Sequence, residues 1–454
     1  MKYSSFFISW RRVLSRFAVT NLVVVCSALP AAAGQAQDPG IVSVQGSSFV
    51  RNGEPYRFVG VNMWYAAYLG ADASFGDRER LVAELDLLNS LGVKNLRILG
   101  ASEDSPYGKS LKTTFRDASD DYNDTLLEGL DFALAEIGKR DMTAVVYLNN
   151  FWEWSGGMGT YLSWVNGGEA IDLGDSAHPW PAFPRFVSGF YENDQANALY
   201  QDYIRTLLSR TNSLTGVPYK EEPAIMSWQL ANEPRPNPDA GEGDPALDAF
   251  YDWADETADL IKDLDPNHLV STGNEGTMGC NGLEACVTGL HASDSIDYLT
   301  FHMWPRNWSW FDPFEAEASF GTTVTEVKGY IDRHLAIAKA DGRPIVLEEF
   351  GLDRADEVLR AGTPSPHRDR LLELVFAEVE ESAAGDGPFA GTNLWAWGGY
   401  GRAQHEDGEW RPGDTSFTGD PPQEPQGRNS IFDEDASTLA IIERHASRLH
   451  GSAE

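Results

Sequence analysis

Cysteine is scarce, with three in 454 residues. Cys26 falls in an N-terminal apolar run, and the other two, Cys280 and Cys286, stand close together in a loop-like stretch. Neither has further Cys or His partners at ligand spacing, and no HExxH pattern occurs, which argues against a zinc site. In an oxidising compartment the default for such a pair is a local disulfide that stiffens one loop without holding the fold together. Basic residues are also few. Lysine and arginine number 35 against 69 acids, a formal charge of −34, and so acidic a surface excludes nucleic acid and anionic membrane as partners. A Gly-rich phosphate loop is missing, and with it a dinucleotide-binding sheet. No apolar run is long enough for a transmembrane helix, and no internal repeat stands out.

What is present begins with an export leader. Residues 1 to 33 hold Lys2, Arg11, Arg12 and Arg16 but no acid, then an apolar run from Val19 to Leu29, then Ala31-Ala32-Ala33. Cleavage is expected after Ala33, or after Ala36, giving a secreted or periplasmic protein. Loss of the four basic residues takes the charge from −34 to −38. Residues 38 to 454 are read as a single domain. Phe49 to Phe58, turning at Asn52-Gly53, reads as a hairpin able to plug one end of a barrel. Strand signals then follow at Phe58 to Asn62, Lys94 to Leu99, Met142 to Leu148, Ile225 to Gln229, His268 to Thr272, Ile296 to His302, Pro344 to Glu349 and Asn393 to Trp397. Helical patterns separate most of them, one opened by Asp77 and another by Asp244-Pro245. Eight strands alternating with helices predict an α/β fold, a (β/α)8 TIM barrel with long loops on one face.

Two of these strands end in glutamate. Ile225-Met226-Ser227-Trp228-Gln229-Leu230-Ala231-Asn232-Glu233-Pro234 breaks at proline, and Pro344-Ile345-Val346-Leu347-Glu348-Glu349-Phe350-Gly351 has the same form. Either glutamate alone reads equally as a solvated strand end. Together they supply what a glycosidase requires, one carboxyl to donate a proton and one to attack the sugar carbon. Of fourteen tryptophans, most fall in loops or strand ends expected at the C-terminal rim of the barrel. There they suit stacking on the C–H faces of sugar rings. The Pro-rich run Pro421 to Pro425 reads as a surface loop.

These residues resemble glycoside hydrolase family 5, and within it the β-mannanase branch. The resemblance rests on Gly60-Val61-Asn62-Met63-Trp64, Asn95-Leu96-Arg97, Leu148-Asn149-Asn150-Phe151-Trp152, Ala231-Asn232-Glu233-Pro234, Phe301-His302-Met303-Trp304, Glu348-Glu349-Phe350-Gly351 and Asn393-Leu394-Trp395-Ala396-Trp397. It implies a TIM barrel, a retaining mechanism and no metal or organic cofactor. Glu233 becomes the general acid/base and Glu349, directly before the aromatic-Gly pair, the nucleophile. Glu348 competes, but side chains alternate along a strand, so only one of the two faces the barrel mouth. Asn232 is implied to bond the sugar 2-hydroxyl, Arg97 to lie beneath Glu349 and favour its ionised form, His302 to orient the same site, and Trp395 to floor the reacting ring. Trp64, Asn150, Trp152 and Trp304 complete the expected substrate-binding set. Trp304 departs from the tyrosine found in many relatives, so another group must orient Glu349. The implied activity is hydrolysis of β-1,4-mannan, galactomannan or glucomannan by a monomer, with endo cleavage expected from the spread of aromatic residues along the rim. An exo-acting β-mannosidase, a β-1,4-glucanase and a non-catalytic carbohydrate-binding protein are the alternatives, the first because the Phe151 to Tyr191 segment is long enough to wall off one end of a groove.

Overall fold

The computed structural model describes residues 40–119 and 121–451. The expected leader and both candidate cleavage points lie outside them. A small antiparallel sheet comes first: β1 (Ser43–Gln45), β2 (Ser48–Arg51) and β3 (Glu54–Tyr56). Asn52 and Gly53 turn β2 into β3 with φ of 55° and 82°. Two consecutive positive φ values are what a two-residue hairpin turn demands, and Asn-Gly supplies them at low cost.

Eight parallel strands follow: β4 (Phe58–Asn62), β5 (Asn95–Leu99), β6 (Thr143–Tyr147), β7 (Ile225–Gln229), β8 (Leu269–Ser271), β9 (Leu299–Met303), β10 (Ile345–Phe350) and β11 (Phe389–Leu394). Apart from β8 and β9, each pairs with its neighbour in sequence, and β11 returns to β4, so the sheet curls into a barrel. Between β8 and β9 the described residues form no ladder. Asp297 closes that seam, giving its N–H to Val270 O at 2.9 Å and accepting the Val270 N–H on its carboxylate at 2.6 Å. The last barrel strand runs Phe389–Leu394, four residues earlier than its expected start at Asn393. Its Phe-Ala-Gly-Thr-Asn-Leu sequence hides the apolar signal, and Gly391 is small because a Cβ there would meet the Phe58 ring at 2.7 Å.

The helices are α1 (Ala66–Gly70), α2 (Arg78–Ser90), α3 (Asp124–Lys139), α4 (Gly157–Val165), α5 (Ala182–Val187), α6 (Asp194–Leu208), α7 (Pro245–Leu264), α8 (Glu284–Leu290), α9 (Ala316–Asp341), α10 (Pro366–Ala384) and α11 (Ala436–Leu449). Asp77 caps α2 by accepting the Arg80 N–H, and Asp244 caps α7, whose first residue is Pro245. Both starts match the sequence signals. Two short strands, β12 (Trp397–Gly399) and β13 (Ile431–Phe432), bracket a long loop on the rim.

The small sheet seals the N-terminal end of the barrel, leaving the C-terminal rim as the open end. Val42 and Phe49 reach into the bottom layer of the barrel, against Phe58, Val145, Met226, Leu269, Tyr298, Val346 and Ala390. The Phe49 ring lies 6.3 Å from Phe58 and edge-on to Tyr298 at 5.2 Å. We expect Phe49→Ala to lose about 3 to 5 kcal/mol, the usual cost of emptying a buried phenylalanine site. The structure of the C-terminal rim should be unchanged in the folded variant, because it lies at the other end of the barrel. Urea unfolding checks this, and a loss below about 1 kcal/mol would mean that the sheet does not plug the barrel.

Candidate active site

Glu233 lies just past β7, where the chain leaves the sheet. Its N–H bonds Gly273 O at 2.9 Å, and its φ is 51°, a strained value for a side chain other than glycine. The partner position has to be glycine, since a Cβ on Gly273 would come within 1.9 Å of Ala231 O. Glu349 comes from β10. Between Leu347 and Glu349 the register against β9 slips by one residue, so that Leu347 pairs with Phe301 and Glu349 with His302. Glu348 is the extra residue of that bulge.

The bulge separates the two adjacent carboxylates. Glu349 faces the cleft. Glu348 is fully buried beneath it, accepting the Gln229 amide at 2.6 Å and lying 3.9 Å from Arg97 Nε. Only one of the two adjacent glutamates faces the cleft, as alternation along a strand requires, and it is Glu349, the one the resemblance marks. Arg97 spreads its guanidinium under the site, donating from Nη1 to Glu349 and to Asn62 Oδ1 at 3.0 Å, from Nη2 to Asn232 Oδ1 at 2.8 Å, and from Nε to Gln229 Oε1 at 2.8 Å. Arg97 thus holds Glu349 without a tyrosine hydroxyl.

Three donors converge on Glu233: Trp152 Nε1 at 2.6 Å, His302 Nδ1 at 2.8 Å and Trp304 Nε1 at 3.1 Å. His302 Nδ1 is also 3.5 Å from Glu349. Glu233, His302 and Glu349 each offer one atom such that all three lie within 4.8 Å of one another. They are thus close enough to hold a metal ion, yet each already has an opposite charge as its neighbour. One oxygen of Glu233 and one of Glu349 thus approach to within 4.8 Å, whereas inverting enzymes hold their carboxyl groups about 6.5 to 9.5 Å apart.

Burial and charge oppose each other at every group here. For His302, burial favours the neutral ring, but the Glu349 charge and the Glu233 hydrogen bond outweigh it and raise the pKa to about 9. Burial raises Glu233, but the His302 hydrogen bond and charge, Arg235 and Trp152 bring it down to about 2. For Glu349 burial wins: its pKa is pushed up to about 7 despite His302 and Arg97. Arg97 is placed as expected, yet its charge does not overcome the desolvation.

The cleft above has a volume of about 400 Å³. Six tryptophans line it: Trp152, Trp154, Trp180, Trp304, Trp308 and Trp395. Trp395 and Trp304 meet edge to face at 6.0 Å. Two expected substrate contacts are corrected. Trp64 is completely buried behind Trp154, its Nε1 donating to Gly419 O at 3.1 Å. Asn150 is buried too, its Oδ1 accepting from Asn232 Nδ2 at 3.1 Å and from Trp152 N–H at 3.0 Å. Both position lining residues without reaching the cleft. The Pro421–Pro425 run is likewise no plain surface loop, since Gln423 and Glu424 form part of the wall. Burial beside Asp420 raises the Glu424 carboxyl to about 8. Sequence reasoning missed Arg235, Glu275 and Asn307 as well. Arg235 bonds Glu275 at 2.5 Å and covers the Trp152 ring at 4.9 Å; its place two residues after Glu233 was the available signal. Cys280 and Cys286 are disulfide-bonded, as expected, in the segment that follows Glu275.

The sequence profile of glycoside hydrolase family 5, β-mannosidase-like, matches residues 40–454. Mannan endo-1,4-β-mannosidase 1 of Oryza sativa subsp. japonica is 28% identical over 94% of this chain and 90% of its own length. The similarly named Arabidopsis thaliana enzyme is 28% identical over 78% of this chain and 81% of its own. The crystal structure of a family 5 mannosidase from Rhizomucor miehei superposes with a TM-score of 0.82 at 33% identity, covering 91% of this chain and 98% of that one. With a matching profile over the whole described barrel and two glutamates brought together at its rim, the chain belongs to glycoside hydrolase family 5, in its β-mannosidase-like group.

Proposed function

We propose that this protein is an exported, monomeric, retaining hydrolase of β-1,4-mannosidic bonds in mannan, galactomannan or glucomannan. The observation that carries the chemistry is the Glu233–His302–Glu349 cluster within 4.8 Å above Arg97. Mannose as the sugar is supported by the names of the relatives. Export is supported by the leader pattern, the acidic surface and the disulfide. No helix among the described residues is long and apolar enough to cross a membrane.

In the first step the Glu349 carboxylate attacks the anomeric carbon while Glu233 gives its proton to the departing glycosidic oxygen. In the second, water attacks the mannosyl–Glu349 ester, Glu233 takes the water proton, and the product keeps the β configuration. Asn232, fixed by Arg97 and Asn150, is placed to bond the 2-hydroxyl.

Endo cleavage, as the plant relatives are named, remains the leading mode. One feature of the rim favours exo cleavage as a second reading. The loop after β12 packs on the loops after β4 and β5: Phe417 meets Trp64 at 5.6 Å, Trp64 in turn meets Trp154 after β6 at 5.6 Å, and Lys109 pairs with Glu409 at 2.9 Å. A wall that closes the side receiving the non-reducing end is what exo cleavage requires. The products from mannohexaose decide between them. Internal fragments from the start, with a sharp drop in galactomannan viscosity, are expected for endo action, and steady mannose release establishes exo action. Faster hydrolysis of carboxymethylcellulose than of galactomannan would overturn the substrate assignment.

The pH profile follows from the carboxylate pair. Between about 2 and about 7 the pair carries one proton, which the free site leaves on Glu349 and catalysis needs on Glu233; His302 Nδ1, near both, links the two placements. The group that titrates at about 7 is raised above its usual value, so the active singly protonated form is present below that pH and is lost as pH rises through it. We expect kcat/KM to decline through pH 7. A rise from pH 7 to 8 would contradict this protonation scheme.

A further inference from the structure

Among large apolar side chains on the rim, Trp180 is unusually exposed at 59%. Leaving an indole in water forfeits the burial that such a side chain normally provides. It nevertheless has a fixed setting. Its ring centroid is 6.5 Å from that of Trp152, with planes 21° apart, and it lines the same cleft. Trp152 in turn stacks on the buried Phe183 at 5.9 Å and 4°. Phe183 lies three residues after Trp180, on α5, which ties the segment down beside the site.

The two sides of the cleft are distinguishable by what faces each carboxylate. Trp395, whose N–H bonds Phe350 O at 3.1 Å beside Glu349, and Glu424, on which the Glu349 charge acts, stand with Glu349. Trp152 donates to Glu233, and Arg235, whose charge acts on Glu233, covers the Trp152 ring. Because Glu233 protonates the leaving oxygen, Trp152 and its neighbour Trp180 border the sugar that departs.

We propose that Trp180 is a specificity-determining platform for the leaving portion of the substrate, stacking on a pyranose beyond the cleaved bond and favouring oligosaccharides over substrates with a small leaving group. This rests on the β-mannoside hydrolase reading but holds for either endo or exo cleavage, since both need a site for the departing chain. Its ligand is the apolar face of a β-linked hexose unit.

The test is steady-state kinetics of the full chain and its Trp180→Ala and Trp180→Phe variants on mannotetraose and on β-mannosyl fluoride, whose leaving atom carries no ring. For Trp180→Ala we expect KM on mannotetraose to rise roughly 3- to 10-fold, the scale of one lost stacking contact. Both constants on the fluoride should stay within about twofold, and phenylalanine should restore most of the loss. Unchanged kinetics on mannotetraose would overturn the proposal. Equal losses on both substrates would also overturn it, since they would make Trp180 a prop for Trp152. Wild-type protein that cleaved neither substrate would overturn the hydrolase reading and this proposal together.

Discussion

The Arg97 guanidinium, completely buried beneath the two barrel carboxylates, is the interaction on which the site depends. A buried cation without partners is too costly to keep. Arg97 therefore has a partner in each direction: Glu349 above, Asn232 and Gln229 from β7 and its end, and Asn62 from β4. Those partners stand on strands that are not neighbours of β5 in every case, so a single side chain sets the relative heights of β4, β7 and β10. Satisfying Arg97 also fixes the carboxylate of Glu349 and the side-chain amide of Asn232 at the cleft.

Around that charge the chain arranges opposing demands. Burial favours neutral carboxyls, and catalysis needs one carboxylate and one acid 5 Å or so apart. His302 lies between Glu233 and Glu349 and is held protonated by both, so the pair does not have to share its charge unaided. The β10 bulge serves the same end. It turns one of two adjacent glutamates into the cleft and buries the other where Gln229 and Arg97 can neutralise it.

Most of this was legible in the sequence because it rests on local signals. Apolar strand runs that end at Glu233-Pro234 and Glu349-Phe350-Gly351 mark the carboxylates, and Asp77, Asp244-Pro245 and Asn52-Gly53 mark helix starts and the hairpin turn. What was hidden depends on contacts between distant segments. Trp64 and Asn150 have the composition of sugar contacts, yet the loop after β12 covers one and Asn232 occupies the other. Arg235 needs Glu275 from beyond β8 before it faces the cleft, and nothing local announces that pairing. Pro421 to Pro425 reads as a solvated loop by composition, while three backbone N–H groups and the Ser430 hydroxyl bonded to Asp420 fold it back against the site. The start of β11 was missed because its residues are small or polar, as the crowding of Gly391 under Phe58 requires.

The central claim is that Glu349, and not its neighbour Glu348, forms the covalent bond to the sugar. A 2-deoxy-2-fluoro-β-mannosyl fluoride substrate slows both steps yet keeps a good leaving group, so the glycosyl–enzyme ester accumulates. Fragmentation mass spectrometry of the labelled peptide then locates the ester. The account predicts one fluoromannosyl group per chain, on Glu349. A label on Glu348, or turnover with inversion and no label, would contradict it.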